Sequence, residues 1–179
     1  MKTKTRYLKS TAVLAGAAMV PTAAVFVSGV ISHAIAGSVT QNITITANVN
    51  ASCTFPNAAN TLAFGTYDPI GINASAGLDS ASNFDVQCTK GTSVVLKMGL
   101  GNNPTGQQRR LKLDATNFLN YNLYADASRS TIWNDTSNVV IYVATSSAIE
   151  TKAVYGRIPA AQSAGAGSYT DTVVITASF

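Results

Sequence analysis

From Val39 to Cys53 the chain alternates with a period of two over fifteen positions, and no other feature restricts the fold so tightly. Odd positions read Val39, Gln41, Ile43, Ile45, Ala47, Val49, Ala51 and Cys53; even positions read Thr40, Asn42, Thr44, Thr46, Asn48, Asn50 and Ser52. Seven of the eight odd positions are apolar and all seven even ones are polar. A helix would mix the two sets on each face, whereas a strand sends alternate side chains to opposite sides. The run therefore predicts extended backbone with one buried face. Its length is the anomaly: at roughly 3.3 Å per residue it reaches about 50 Å, well beyond a usual strand of about 5–6 residues. A single small sandwich rarely covers both halves of such a strand. Either it bends between two sheets, or its first half pairs with something else, as subunit exchange would require.

The segments that follow are short, alternating or β-branched, and no helix is expected between residues 37 and 179. Strands are predicted at 61–67, 83–89, 93–99, 109–113, 120–125, 138–145, 151–157 and 169–179. The last alternates again, with Val173, Ile175, Ala177 and Phe179 on one face. Turn chemistry separates them at Asp68-Pro69, Gly71-Ile72-Asn73, Gly101-Asn102-Asn103-Pro104, Asn134-Asp135 and Gly165-Ala166-Gly167. Many short strands at this spacing argue for an all-β sandwich without repeats or a second domain.

The N-terminus reads as a secretory signal. Lys2, Lys4, Arg6 and Lys9 form a basic head, residues 10–32 carry no charge, and Ala34-Ile35-Ala36 is a small-x-small exit. The rival is a permanent anchor, since 23 uncharged residues can span a bilayer, but Gly16, Pro21, Gly29 and many alanines weaken it. Cleavage after Ala36 leaves 143 residues, a comfortable size for one domain. Four of the twelve Lys and Arg lie in the signal, so the remaining eight balance the eight Asp and Glu and the net charge of +4 falls to zero. That leaves no basic patch for nucleic acid and no stable membrane insertion after cleavage. In an oxidising compartment Cys53 and Cys88 are expected to form one structural disulfide. It closes a loop of 36 residues and stabilises by roughly 3–4 kcal/mol.

Catalytic chemistry finds no support. The one histidine, His33, leaves with the signal, so a hydroxyl or thiol nucleophile has no imidazole base. The acids are scattered singly, with Asp85 and Asp126 at predicted strands, and are expected in solvated or turn-capping roles. Two thiols alone make no metal site, and no glycine-rich phosphate loop opens a helix. No catalytic, cofactor or metal residue is assigned. Tyr121, Tyr124, Trp133, Tyr142 and Tyr155 could stack on sugars, but interleaved with aliphatics they read as core and cross-strand packing. Arg109 and Arg110 read as surface charges at a strand end.

An ordered set of motifs nevertheless resembles a known family. Ser52-Cys53-Thr54, Leu62-Ala63-Phe64-Gly65-Thr66-Tyr67 and Phe84-Asp85-Val86-Gln87-Cys88 occur in the order of the spore coat protein U domain. Arg110-Leu111-Lys112, Leu119-Asn120-Tyr121-Asn122-Leu123-Tyr124-Ala125-Asp126 and Tyr155-Gly156-Arg157-Ile158-Pro159 continue it. Gly167-Ser168-Tyr169-Thr170-Asp171-Thr172-Val173-Val174-Ile175-Thr176, at the C-terminus, is the most specific part. Single motifs such as L-x-F-G are weak; the ordered set covers nearly the whole mature chain.

That family includes pilins of archaic (Csu-type) chaperone–usher pili, which the chain resembles. The resemblance implies an incomplete immunoglobulin-like β-sandwich completed by donor-strand exchange. Residues 37–47 would be the donor extension, with Val39, Gln41, Ile43, Ile45 and Ala47 as the inserted row. Residues 48–179 would be the pilin domain, with Tyr169, Val173, Ile175, Ala177 and Phe179 in the strand flanking the acceptor groove. Implied partners are identical or related pilins, a periplasmic chaperone and an outer-membrane usher. The product is a cell-surface pilus serving adhesion and biofilm formation. A secreted spore-coat or matrix protein of the same fold is the main alternative. A carbohydrate-binding tip adhesin normally carries an added N-terminal domain, for which 143 residues leave no room. A type IV pilin fails because Ser38-Val39-Thr40 replaces an apolar helix with an early Glu.

Overall fold

The structure is a computed structural model that describes residues 36–57 and 59–179. The expected signal peptide therefore lies outside the described residues, Ala36 apart. The chain divides into two units, 1–45 and 46–179. In the first, residues 36–45 are exposed and carry no regular secondary structure.

The second unit is all-β. Its strands are β1 (Cys53–Thr54), β2 (Leu78–Cys88), β3 (Ser93–Met98), β4 (Arg109–Lys112), β5 (Phe118–Tyr124), β6 (Val140–Val143), β7 (Ile149–Ile158) and β8 (Ile175–Ser178). One sheet runs β1-β2-β7-β5-β4 and the other β6-β3-β8, with every pairing antiparallel. Among the described residues the sole helix is a 3₁₀ turn, Ile72–Ala74. Period-two patterning explains the sandwich: Phe84, Val86 and Cys88 of β2 meet Val94, Leu96 and Met98 of β3 in one core. Leu119, Tyr121 and Leu123 of β5 and Val154 and Ile158 of β7 complete it. Trp133, 2% exposed, spans the layers, donating Nε1–H to the Leu96 carbonyl and its backbone N–H to that of Leu123.

Three expectations change. The 39–53 run is not one long strand: only Cys53 reaches β1, and Val39, Ile43, Ile45 and Val49 are 81–100% exposed. Residues 61–67 form no backbone ladder, although Leu62, Phe64 and Tyr67 pack against the core. The predicted 169–179 strand is split between the sheets. Thr170 exchanges both backbone hydrogen bonds with Lys112 at the end of β4, while β8 pairs with β3 from Met98↔Ile175 to Val95↔Ser178. A strand crossing from one layer to the other cannot keep one ladder, and residues 171–174 span the change.

Candidate functional site

The sandwich is open along one side. A cleft of about 150 Å³ has Asn60, Leu62 and Phe64 on one wall and Asp171, Val173 and Ile175 on the other. Phe84, Leu111, Tyr121, Leu123 and Val154 form its floor and Met98 closes it further. The cleft is thus an apolar slot between a free segment and the strand that changes sheets.

Each wall is held by a specific local device. On β2 the inward-facing row reads Leu78, Ser80, Ser82, Phe84, Val86, Cys88, so two hydroxyls stand where a core would place aliphatics. Ser82 donates to the Thr61 carbonyl at 2.8 Å and Ser80 to the Ala63 carbonyl at 2.6 Å. The side chains bind a neighbouring backbone that has no ladder of its own, giving two of its carbonyls the donors a paired strand would have supplied. Beneath it, Gly156 of β7 has no side chain to spare: a Cβ there would stand 2.7 Å from Phe64 Cζ and 3.0 Å from Leu62 Cδ2. On the other wall Asp171 accepts from the Tyr121 hydroxyl at 2.7 Å and from the backbone N–H of Asn102 at 2.8 Å. Gly101, at φ +82°, leaves the space this carboxylate fills. Burial and the bond to Asp171 push the Tyr121 phenol above its ordinary 10.0, so it remains a donor.

Val173 and Ile175 of the expected flanking strand line this cleft, and Tyr169 and Ala177 pack against the core beside it. Phe179 is 60% exposed and lines nothing. The expected donor residues Val39, Gln41, Ile43, Ile45 and Ala47 are all exposed. Cys53 and Cys88 form the expected disulfide, with Cα atoms 4.1 Å apart across the β1–β2 pairing.

Arg109 overturns its reading as a surface charge. It is 1% exposed and donates Nε–H to the Gly99 carbonyl at 2.8 Å and Nη2–H to those of Met98 and Trp133 at 2.9 and 2.7 Å. Desolvation lowers its pKa from the ordinary 12.5, yet a guanidinium stays charged. It ties β4 to the end of β3 across the layers, beside the cleft. Arg110 fits its reading better, half-buried with its guanidinium 4.0 Å over the Phe118 ring. The aromatic cluster is mostly core, since Tyr121, Tyr124 and Trp133 are buried.

The carboxylates are separately engaged. Asp114 accepts backbone N–H bonds from Thr116 and Asn117, and Asp126 accepts from Ser128 and Ser130, which lowers each to about 2. Asp79 is lowered by its bond from Arg157, and Asp85 accepts from Thr151 and Asn57. Among the described residues no group of three His, Cys, Asp or Glu side chains could hold a metal ion.

The wall at 60–64 and the anchoring by Arg109 were not foreseen. The out-of-place pair Ser80 and Ser82 on an apolar phase is the sequence signal for the first. Nothing local marks Arg109, because its three acceptors are backbone carbonyls brought together by the fold.

Comparison with known proteins adds three findings. The Spore Coat Protein U domain matches residues 39–176. Protein U of Myxococcus xanthus is 35% identical over 159 residues, covering 83% of this chain and 89% of that protein. The fold is similar to the CsuC–CsuE chaperone–tip adhesion subunit pre-assembly complex from archaic chaperone-usher Csu pili of Acinetobacter baumannii, at TM-score 0.54 and 21% identity. The match covers 73% of this chain but spans only 40% of that one, and it supports an immunoglobulin-like sandwich. The chain belongs to the spore coat protein U domain family.

Proposed function

We propose that this protein is an exported structural subunit that polymerises by donor-strand exchange into a surface pilus. Residues 1–36 are its removable signal, residues 37–47 its donor extension, and residues 48–179 its acceptor domain. One observation carries the reading: an apolar cleft lies open between 60–64 and 171–175, while an alternating aliphatic row, Val39, Ile43 and Ile45, is 83–100% exposed. Both are costly for a solitary molecule, and each supplies what the other lacks. The inserted row would bury three large aliphatics at roughly 1.5–3 kcal/mol each, several kcal/mol per junction. A periplasmic chaperone would cover the cleft before assembly, an outer-membrane usher would exchange it for the next subunit, and adhesion and biofilm formation would be the polymer's roles. The reading assigns the protein no turnover chemistry.

Ile45→Asp tests it. An unpaired carboxylate in the groove costs a further several kcal/mol, so the variant remains folded and exported but forms no polymer ladders or surface fibres. Thr44→Asp and Thr46→Asp, on the opposite face of the strand, retain them. Equal damage from all three, or normal fibres from Ile45→Asp, defeats the assignment. The likeness to Protein U favours one second reading, a coat or matrix protein; assembly that proceeds without any usher would select it.

A further inference from the structure

The order of contacts along β2 points to a mechanical role for the disulfide. From Cys53 onward the chain runs as a strip antiparallel to β2. Cys53 and Thr54 pair with Cys88 and Gln87, and the Phe55 ring packs 6.1 Å from that of Phe84. Asn57 Nδ2 donates to Asp85 at 2.7 Å, and Thr61 and Ala63 accept from Ser82 and Ser80. The strip ends as a wall of the cleft, at Leu62 and Phe64. These contacts are single and mostly exposed, and they are met one after another along the chain. A pull on the front of such a strip breaks them in turn, as in peeling, rather than sharing the load.

The front is where tension would arrive. Thr89 holds the chain just upstream at the end of β2: its N–H donates to the Ser52 carbonyl at 2.9 Å and its hydroxyl to that of Asn50 at 3.2 Å. We propose that the Cys53–Cys88 bond is a tension shunt. It passes a pull on residues 48–52 straight into β2, which is paired with β7 over ten residues, Leu78↔Ile158 to Gln87↔Ile149. The strip that follows Cys53, and with it one wall of the cleft that grips the next subunit, is then not pulled along its own length. Without the bond the pull travels through the strip, strips Leu62 and Phe64 from the cleft, and releases the neighbour. This rests on the donor-strand reading, because only a polymer joined through residues 37–47 puts tension on residues 48–52.

The experiment is single-fibre pulling on the full-length exported protein, oxidised and after reduction with dithiothreitol verified by alkylation, with a Cys53→Ser, Cys88→Ser double variant as a second route to the unlinked state. Oxidised fibres should part without prior lengthening. Unlinked fibres should lengthen at each junction by the reach of the eleven residues 54–64, at most roughly 36–40 Å at about 3.3–3.6 Å each, less the span the strip already covers along β2 from Cys88 to Ser80, and then part at lower force. Asn57→Ala, outside the cleft, should leave the oxidised rupture force unchanged and lower the unlinked one. Equal force and extension in both redox states overturns the shunt, as does an Asn57→Ala effect of the same size in both. Fibres that dissolve on reduction at rest also overturn it, since the bond then holds the fold rather than the load. No fibres from the native chain, or fibres indifferent to Ile45→Asp, overturn the donor-strand reading and the shunt with it.

Discussion

Replacing Arg109 with Met keeps most of the side chain's length and apolar stem but removes a guanidinium that is 1% exposed. Three carbonyls lose a charge-assisted donor, those of Met98, Gly99 and Trp133. At about 1–3 kcal/mol for each orphaned buried acceptor, the loss is about 3–9 kcal/mol. Against it stands the burial of an ion with no carboxylate in direct contact, whose removal returns several kcal/mol. Taking about 6 kcal/mol for the three acceptors and about 3 kcal/mol for the desolvation returned, the balance falls on the destabilising side, at about 3 kcal/mol. For a domain of this size that is roughly 10 °C in Tm. Urea denaturation of the oxidised protein measures it, with Arg110→Met as the control. Arg110 gives one bond to the Asn103 carbonyl and a stacked ring, and its loss should cost under about 1 kcal/mol. If Arg109→Met is neutral or stabilising, or matches Arg110→Met, the account of Arg109 as the tie between the layers is wrong.

Two further outcomes are expected. Gly156→Val should force Phe64 and Leu62 off the cleft wall, destabilising by about 1–3 kcal/mol and reducing the yield of polymer ladders, and an unchanged melt and yield would overturn it. Asp114 and Asp126 are held at about 2 in the folded chain against an ordinary 3.8, so their contribution is complete above about 3.8 and is lost as pH falls toward about 2; Asp114→Asn should remove part of that acid sensitivity in a pH-resolved melt, and an unaltered profile would refute it.

Local patterning made much of this fold legible. The rows Phe84-x-Val86-x-Cys88 and Val94-x-Leu96-x-Met98 follow directly from period-two burial, and Asp114 and Asp126 lie in turns that acidic side chains cap. Where two structures share a pattern, the pattern could not choose between them. Val39 to Val49 alternates as well as any buried strand, yet those residues are exposed, because alternation specifies a face and not the partner that covers it. Leu62 and Phe64 alternate too, yet the segment makes no ladder and is held by Ser80 and Ser82.

The sequence by itself determined the β class, the approximate places of the strands, the cysteine pair and the C-terminal row Val173, Ile175, Ala177, since each depends on residues close in the chain or on a count. Only the tertiary structure decided that Arg109 is internal, that residues 169–179 divide between two sheets, and that 60–64 faces 171–175 across an open cleft. Those features depend on contacts between residues far apart in the chain: Arg109 meets Trp133, Lys112 meets Thr170, and Ser80 meets Ala63. Backbone carbonyls and sheet edges are the same at every residue, so no side-chain pattern announces which of them a distant guanidinium or hydroxyl will satisfy.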